Sequence, residues 1–237
     1  MSSDNPLKGK LALVTGASRG IGAATAEALA AAGAHVILTA RTAGGLEEVE
    51  ERIHQAGGQA TIAPLDLIEG DSIARLAAAI SGRWDALDIL VLNAAMLGTL
   101  SPVTAIDAKE FNKVLATNLL AQQALITAFD PMLRKSAGGR LIALTSSVGQ
   151  NPRAYWGAYG ASKAALEALV LAYGEEVKNI SAVRTAILDP GATATKMRAK
   201  AFPGEDPMTL KGPEKVAERI LALVVNEFET GHRERVN

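Results

Sequence analysis

Tyr159 and Lys163 are the residues whose types and spacing most directly suggest chemistry. They are four residues apart in a segment of helical periodicity, so their side chains share one face of the predicted helix. A tyrosine with its ordinary pKa of about 10 is a poor acid or base at neutral pH. An ammonium group beside it favours the phenolate and lowers that pKa, which makes the pair a candidate for proton transfer.

Polar residues near other segments strengthen this hypothesis. Ser146 follows an apolar run thirteen residues before Tyr159, and a second run ends in Asn93, Ala94 and Ala95. Because the carboxyl ends of parallel strands meet at one edge of a sheet, we expect these strand-end groups to converge there. Asn118, inside the helical stretch 108–135, is a further polar candidate.

A glycine-rich segment follows the first apolar run. Residues 15–22 read Thr-Gly-Ala-Ser-Arg-Gly-Ile-Gly, with glycines spaced G-x-x-x-G-x-G. Glycines let the backbone turn sharply and approach a ligand, and the helix that follows offers unpaired N–H groups to an anion. The segment predicts a phosphate-binding loop; a turn that only packs a helix on a strand is the alternative. Its candidate cofactor-binding residues are Gly16, Ser18, Arg19, Gly20, Ile21 and Gly22.

The end of the second apolar run predicts which dinucleotide binds. Residues 39–42 read Thr-Ala-Arg-Thr, without the carboxylate that binds a free ribose diol and repels a 2′-phosphate. Arg41 supplies one guanidinium at this point, and Arg19 supplies a second from the glycine-rich loop. Two cations that converge on one ribose favour a 2′-phosphate, so NADP(H) is predicted in preference to NAD(H). The positive nicotinamide ring of its oxidised form would lower the pKa of Tyr159 further.

Taken together, these motifs resemble the short-chain dehydrogenase/reductase family in its compact single-domain form. Their joint order along the chain is very specific, and the resemblance covers essentially the whole sequence. It implies hydride transfer between a nicotinamide and a small carbonyl or alcohol substrate. The motifs, in order, are Thr-Gly-x-x-x-Gly-x-Gly, Asp66, Asn93-Ala94-Ala95, Asn118, Ser146, Tyr159-x-x-x-Lys163 and Pro190-Gly191.

The resemblance implies a role for each of four candidate catalytic residues. Tyr159 looks like the general acid that protonates a carbonyl oxygen during reduction, or the base in the reverse direction. Lys163 would bind the nicotinamide ribose and depress the pKa of Tyr159. Ser146 would donate to the carbonyl oxygen and orient it, and Ser147 is its rival at a spacing that fits the family less well. Asn118 resembles the residue that holds a water linking Lys163 to solvent; the alternative is an amide that only bonds a neighbour.

The resemblance also assigns the remaining cofactor contacts. Asp66 and Leu67 resemble the pair beside the adenine ring, and the segment after the sixth apolar run resembles the one that covers the nicotinamide. Family members usually carry Asn-Asn-Ala-Gly where residues 92–95 read Leu-Asn-Ala-Ala, a change that is tolerable if φ of Ala95 stays negative. The residues carried over are Asp66, Leu67, Asn93, Ala94, Ala95, Pro190, Gly191, Thr193 and Thr195.

Six short apolar runs alternate with segments of helical period, and these elements must position the candidate residues. Runs this short and apolar are typical of strands buried on both faces of a parallel sheet. The alternation predicts an α/β fold with a doubly wound parallel sheet, a Rossmann-like three-layer sandwich. No linker divides it, so we expect one domain over 1–237, with residues 192–212 as the substrate lid. The runs are 11–14, 36–38, 61–64, 89–92, 141–144 and 185–188, and the helical segments are 22–32, 45–55, 72–80, 108–135, 160–178 and 213–225.

Composition excludes several classes of protein. The 237 residues are 49% hydrophobic with a net charge of -1, which fits neither a disordered chain nor a nucleic-acid-binding protein. The chain contains no cysteine, so disulfides, thiolate nucleophiles and cysteine-ligated metals are excluded. The three histidines are far apart, and we expect no metal site. We also expect no signal peptide and no membrane span, which places the protein in the cytoplasm.

Two functions from different classes fit these observations. The first is an NADPH-dependent oxidoreductase that acts on a small carbonyl or alcohol. The second is a catalytically idle dinucleotide-binding sensor or partner protein on the same fold. For an enzyme, the segments 96–100, 150–156 and 192–212 would border the substrate, and their mostly apolar side chains favour a neutral ketone or aldehyde.

The assembly and the C-terminus complete the expectations. The resemblance implies a homodimer through the helices 108–135 and 160–178, and the polar tail described next favours this dimer over a tetramer that also packs terminal strands. The last six residues, 232–237, are mostly charged or polar. A strand buried on both faces cannot carry such residues, so we expect at most a frayed edge and an effectively six-stranded sheet. Deletion of these residues should then leave stability and turnover nearly unchanged.

Overall fold

The computed structural model describes residues 5–237, which form an α/β sandwich around one parallel sheet. The sheet has seven strands in the order β3-β2-β1-β4-β5-β6-β7, and all pairings are parallel. The predicted doubly wound fold is therefore confirmed. The strands are β1 Leu11–Thr15, β2 His35–Thr39, β3 Gln59–Ile62, β4 Ile89–Leu92, β5 Arg140–Leu144, β6 Arg184–Asp189 and β7 His232–Arg235.

Helices cover both faces of this sheet. In the described part of the chain, no helix has the length and apolar character needed to cross a membrane. The helices are α1 Gly20–Ala31, α2 Ala43–Gln55, α3 Ser72–Ser81, α4 Ala108–Leu115, α5 Ala121–Lys135, α6 Gly157–Val177, α7 Lys196–Ala201 and α8 Pro213–Val225.

Two apolar cores hold the helices against the sheet, one on each face. In β6, Ala186 and Leu188 face the core that includes residues of α1, α2 and α8, whereas Ile187 faces the core built with α3, α5 and α6. Burial of a leucine or isoleucine side chain contributes about 1.5–3 kcal/mol, so apolar residues on both faces favour the buried strand. Phe129 of α5 is fully buried in the second core, and its replacement by alanine would cost about 3–5 kcal/mol.

The predicted helix 108–135 is interrupted by a π-helical turn. The turn Ala116–Leu120 separates α4 from α5, and the N–H of Ala121 donates to the carbonyl of Ala116 across it. A π turn widens the helix by one residue, and such turns recur at functional sites. This turn carries Asn118, which therefore leaves the regular helical register.

The strand order reverses between β1 and β4. From β1 the chain winds outward through β2 to β3, and from β4 it winds the opposite way through β5 and β6 to β7. In doubly wound sheets, ligands bind outside the carboxyl ends of the strands at this point of reversal. The segments after β1, β4, β5 and β6 thus share one crevice.

The expectation for the C-terminus is wrong. Strand β7 pairs with β6 over four residues, from Ala186 opposite His232 to Asp189 opposite Arg235. Its charged side chains are accommodated because each face of the strand finds partners on a helix. Arg233 is ion-paired with Glu167 of α6 on one face, and Glu234 accepts from Arg219 of α8 over 2.6 Å on the other. The sheet is therefore seven-stranded.

Candidate active site

The glycine-rich loop is shaped for close approach of a ligand. Gly16 has a φ of 67°, in the left-handed region that favours glycine. A Cβ added to Gly22 would lie 2.3 Å from the carbonyl oxygen of Gly16, so only glycine fits there. Helix α1 begins at Gly20 directly after the loop, and the Arg19 side chain at its N-cap does not cap it, so the first N–H groups and the positive end of the helix dipole are available to an anion. The arrangement suits a phosphate group.

Asn93 and Thr15 fasten this loop to β4. The Asn93 side chain donates to the backbone carbonyls of Thr15 at 2.8 Å and Gly16 at 3.3 Å. The Thr15 hydroxyl donates to the carbonyl of Val91 and accepts from the N–H groups of Asn93 and Ala94, each at 3.0 Å. Asn93 therefore acts on the loop backbone through its side chain. Thr15 is the first residue of the glycine-rich motif, and its hydroxyl completes the connection between this loop and β4.

The alanine that departs from the family pattern causes no backbone strain. Among the described residues other than glycine, a positive φ occurs at Tyr155, where it is 73°, and not at Ala95. The condition under which an alanine is tolerated at position 95 is therefore met.

Arg19 and Arg41 lie in the segments that follow β1 and β2, which are neighbouring strands. Both side chains are exposed; Arg19 immediately precedes α1, and Arg41 follows β2. An added Cβ on Gly45, in the first turn of α2, would lie 3.0 Å from the Cβ of Ser18. The first turn of α2, which follows Arg41 closely in the chain, therefore packs against the glycine-rich loop that carries Arg19.

Asp66 and Leu67 lie in the segment after β3. The Asp66 carboxylate accepts from the N–H of Ile68 at 3.3 Å, and the backbone carbonyl of Asp66 accepts from the Ser72 hydroxyl at 2.8 Å. Leu67 packs at the margin of the second core. These contacts hold the segment in place while Asp66 stays partly exposed.

Asn118 joins the loop after β4 to helix α6. Its side-chain oxygen accepts from the N–H of Met96 at 2.8 Å, and its nitrogen donates to the carbonyl of Met96 at 2.9 Å and to the Ser162 hydroxyl at 3.0 Å. The side chain is fully buried. These bonds join the π turn to the loop after β4 and to α6. Sequence reasoning did not identify Met96 and Ser162 as its partners.

Tyr159 and Lys163 share one face of α6, as the spacing predicts. Both are buried, and the Lys163 ammonium lies 5.8 Å from the centroid of the Tyr159 ring. The ammonium donates to the carbonyl of Leu144 at 2.8 Å, at the end of β5. Burial lowers the pKa of Lys163 to about 8, and the nearby carboxylate of Glu167 offsets part of this change.

The environment of Tyr159 differs from the expectation based on its neighbour alone. Burial raises the pKa of the phenol above its usual value, and the negative charge of Asp189 raises it further. Sequence spacing reveals a cation four residues away, but it does not reveal how completely the tyrosine is removed from water. Within the polypeptide, Tyr159 is therefore a neutral phenol with a proton to donate.

Ser146 is held beside α6 by the turn that it begins. The residue has an extended backbone and precedes the 3-10 turn Ser147–Gly149. This turn packs so closely on α6 that a Cβ on Gly160 would lie 2.9 Å from the carbonyl oxygen of Val148. Val148 in turn packs against Tyr159. The structure thus brings the segments of Ser146 and Tyr159 together.

The segment after β6 reaches back to the glycine-rich loop. The N–H of Gly191 donates to the Asp189 carboxylate at 2.9 Å, and the Thr193 hydroxyl donates to the carbonyl of Pro190 at 2.9 Å. Thr195 caps α7, and its Cγ2 would lie 3.5 Å from a Cβ added to Gly20. The predicted nicotinamide segment therefore spans the crevice.

Apolar side chains pack around Tyr159. Leu97, Val148 and Tyr159 form a small buried cluster against which Trp156 and Met197 pack. The ring centroid of Trp156 lies 6.0 Å from that of Tyr159 and 5.7 Å from that of Phe202.

The segment 192–212 contacts this cluster through Met197, Ala201 and Phe202. Its two ends are joined where the N–H of Ala194 donates to the carbonyl of Lys211 at 2.9 Å. In between, the Lys200 ammonium donates to the carbonyl of Gly98 at 3.3 Å, and Arg198 pairs with Glu205. The segment is therefore anchored at its base and at one contact with the loop after β4.

A second group of buried polar residues, which the sequence motifs do not reveal, lies next to the site. Glu167 lies one turn after Lys163 on α6, and Thr145 immediately precedes Ser146. Glu167 accepts from the Thr145 hydroxyl and is ion-paired with Arg233 of β7. The available signal was a glutamate four residues after Lys163 on the same helix face.

Comparison with known proteins agrees with this geometry. A family model described as short chain dehydrogenase matches residues 10–206. The uncharacterized oxidoreductase YciK of Escherichia coli (strain K12) is 37% identical over 221 residues, which cover 92% of this chain and 87% of the relative.

Solved structures are similar over the whole fold. A short chain dehydrogenase structure from Pseudomonas syringae has a TM-score of 0.96 and 37% identity, and the match covers 100% of this chain and 98% of that one. A second, from Escherichia coli CFT073 and complexed with NADPH, has a TM-score of 0.94 and 35% identity over 99% of both chains.

Proposed function

The chain belongs to the short-chain dehydrogenase/reductase family, and on that premise we propose that it is an NADPH-dependent oxidoreductase that interconverts a carbonyl compound and its alcohol. The observation that carries the proposal is the buried pair of Tyr159 and Lys163 on one face of α6, beside the segment that begins with Ser146. The packing of the fold alone does not require these residue types at these positions.

Tyr159 is the proton donor for the carbonyl oxygen in the direction of reduction. Its raised pKa keeps the phenol protonated at neutral pH, as a general acid must be. NADPH supplies the hydride that adds to the carbonyl carbon, so the products are an alcohol and NADP⁺. Ser146 donates a hydrogen bond to the same oxygen and orients it, with Ser147 as the rival for this role.

The Lys163 ammonium places a positive charge near Tyr159. That charge stabilises the phenolate left after proton donation, and the ammonium also binds the nicotinamide ribose. Asn118 supports the arrangement from the π turn through Ser162 of the same helix. In the reverse direction, Tyr159 accepts the proton of the alcohol, and the charge of Lys163 favours the phenolate that this step requires; the positive nicotinamide of a bound oxidised cofactor would add to this effect.

The residues around the crevice fit a dinucleotide with a 2′-phosphate. The pyrophosphate would lie at the start of α1, where the backbone at Gly16 and Gly22 has no side chain to keep a ligand away. Arg19 and Arg41 suit the 2′-phosphate, and no carboxylate occupies residues 39–42 to repel it. The structural neighbour solved with NADPH supports this choice. The other proposed cofactor contacts are Ser18, Gly20, Ile21, Asp66, Leu67, Asn93, Ala94, Ala95, Tyr159, Lys163, Pro190, Gly191, Thr193 and Thr195.

The substrate is a neutral, mostly apolar aldehyde or ketone. Leu97, Trp156, Met197 and Phe202 supply an apolar surface next to Tyr159, and apolar surface binds the carbon skeleton of such a compound. Residues 192–212 act as a lid over it.

A carbonyl panel with NADPH tests the proposal. Octanal, decanal, benzaldehyde, cyclohexanone and 2-octanone are each mixed with the purified protein and NADPH, and the loss of NADPH absorbance is followed. Turnover with at least one of them is expected, with a larger kcat/KM for NADPH than for NADH. Binding of NADPH without turnover of any carbonyl would favour a catalytically idle dinucleotide-binding protein.

The protein works as a homodimer through the helical segments 108–135 and 160–178. Ala161, Ala168 and Leu171 form an exposed apolar stripe along α6, and Leu120, which immediately precedes α5, is 62% exposed. Exposed apolar residues in such a stripe suit a close helix–helix contact. Light scattering at micromolar concentration should give the mass of a dimer; the mass of a monomer would contradict this assembly.

A further inference from the structure

Glu167 is a buried carboxylate to which the proposed reaction assigns no role. It lies one turn beyond Lys163 on α6, and 6% of the residue is exposed. One carboxylate oxygen accepts from the buried hydroxyl of Thr145, and the other is ion-paired with Arg233. A charge removed from water in this way needs partners that stay in place.

Arg233 reaches Glu167 from the C-terminal strand. It lies opposite Ile187 in the pairing of β7 with β6, so its side chain projects to the sheet face that α6 covers. The next residue, Glu234, is clamped on the opposite face by Arg219 of α8. The Gln150 side chain, with its amide oxygen turned toward the guanidinium, adds a contact from the loop after Ser146.

Thr145 carries the effect of this pair to the site. Its N–H donates to the carbonyl of Leu188 at 2.9 Å, and its hydroxyl donates to Glu167, so its backbone and its side chain are both held. The next residue is Ser146, which has an extended backbone and is joined to Thr145 by one peptide bond. Thr145 is thus the covalent neighbour through which a change in the position of Glu167 would reach Ser146.

We propose that Arg233 is a positioning residue for Ser146, acting through Glu167 and Thr145. The proposal rests on the proposed role of Ser146 in orienting the carbonyl oxygen. Without Arg233, the Glu167 carboxylate loses its ion-pair partner and is free to turn toward water. Thr145 then no longer has an acceptor at a fixed place. A planar guanidinium can contact Glu167 and Gln150 at once, which a lysine ammonium does less well.

A double-mutant cycle with Ser146 separates positioning from a general effect on the fold. The variants are Arg233→Met, Arg233→Lys, Thr145→Val, Ser146→Ala and the double variant Ser146→Ala/Arg233→Met. Arg219→Met is the matched control, because Arg219 also binds β7 but on the other face. The assay uses NADPH with the carbonyl of the panel that has the highest kcat/KM.

Arg233→Met and Thr145→Val should each lower kcat about tenfold while KM for NADPH changes less than about twofold, because only the orientation of the carbonyl is affected. Arg233→Lys should restore part of the loss, and Arg219→Met should keep kcat within about twofold. In the Ser146→Ala background, Arg233→Met should have no further effect on kcat, because its target is absent.

Hydrogen exchange gives a readout that does not need turnover. Backbone amides of residues 145–149 should exchange faster in Arg233→Met than in the parent protein, and at the parental rate in Arg219→Met. If Arg233→Met does not fold, Thr145→Val, which removes one hydroxyl and little volume, tests the same connection through kcat and exchange.

Two results would overturn the positioning role of Arg233 while leaving the proposed function intact. One is an unchanged kcat in both Arg233→Met and Thr145→Val when Ser146→Ala lowers kcat strongly. The other is a fall of equal size on adding Arg233→Met to the parent and to Ser146→Ala, since Arg233 would then act elsewhere. An unchanged kcat in Ser146→Ala would instead overturn the role of Ser146, and the positioning role with it.

Discussion

Lys163 donates a hydrogen bond to the carbonyl oxygen of Leu144 over 2.8 Å. The bond joins α6 to the carboxyl end of β5, two residues before Ser146. Both partners are buried, so water does not compete for the bond. Tyr159 lies one turn earlier on the same face of α6. The bond therefore holds Tyr159 in a fixed position relative to Ser146. The proton donor and the group that orients the substrate are in this way parts of one packed unit.

Cofactor preference should follow the charge at position 41. Arg41→Asp removes a partner of the 2′-phosphate and adds an acceptor for a free ribose diol, so it should weaken NADPH and improve NADH. The ratio of kcat/KM for NADPH to that for NADH should fall about 100-fold or more, since two charge-assisted contacts change. Arg75→Asp, an exposed arginine on α3, controls for the change in net charge. A ratio that does not move would make Arg41 a surface residue.

The glycine-rich loop should not tolerate a methyl group at Gly22. Gly22→Ala would place a Cβ within 2.3 Å of the Gly16 carbonyl oxygen and displace the loop backbone. We expect NADPH affinity to fall at least about tenfold, measured by the fluorescence of bound NADPH. Gly44→Ala is the matched control, because its Cβ would meet no atom within 4 Å. Equal NADPH affinity in the two variants would contradict a cofactor site at this loop.

The pH dependence should report the lowered pKa of Lys163. Burial holds that pKa to about 8, so the ammonium is present below this pH and is lost as the pH rises through it. The kcat/KM for NADPH, which reports the free enzyme, should therefore fall above about pH 8. In Lys163→Arg the guanidinium stays charged, and whatever activity remains should not fall there. A parent profile that stays flat to about pH 10 would contradict this assignment.

Deletion of residues 232–237 should damage both stability and turnover. The truncation removes Arg233 and leaves Glu167 buried without its cation, which costs about 3–5 kcal/mol. The melting temperature should fall by on the order of 10 °C, and kcat should fall as well. Removal of Asn237 alone is the control. A truncated protein with parental melting temperature and kcat would restore the original expectation of a frayed, dispensable tail.

The sequence was sufficient to predict the elements that depend on local pattern. Strand β4 was predicted with its observed bounds, and α8 likewise, because apolar runs and helix-start signals are local. The convergence of the segments after β1, β4, β5 and β6 also followed, since parallel strands place their carboxyl ends at one edge.

Features that depend on distant partners could not be predicted. The charges of β7 appear unsuitable for a strand until Glu167 and Arg219, from two other helices, are known to pair with them. The Asn118 side chain bonds to Met96 in the loop after β4 and to Ser162 of α6, and both partners are distant in sequence. The raised pKa of Tyr159 depends on burial, which spacing does not reveal.

The most direct test of the account is turnover by Tyr159→Phe. The change removes one hydroxyl and little volume, so the fold and the cofactor site should be retained. We expect kcat with the best carbonyl of the panel to fall at least about 1000-fold, because the proton donor is lost, while the Kd for NADPH stays within about threefold. A variant that binds NADPH normally and keeps a substantial fraction of parental kcat would contradict the assignment of Tyr159 as the catalytic acid.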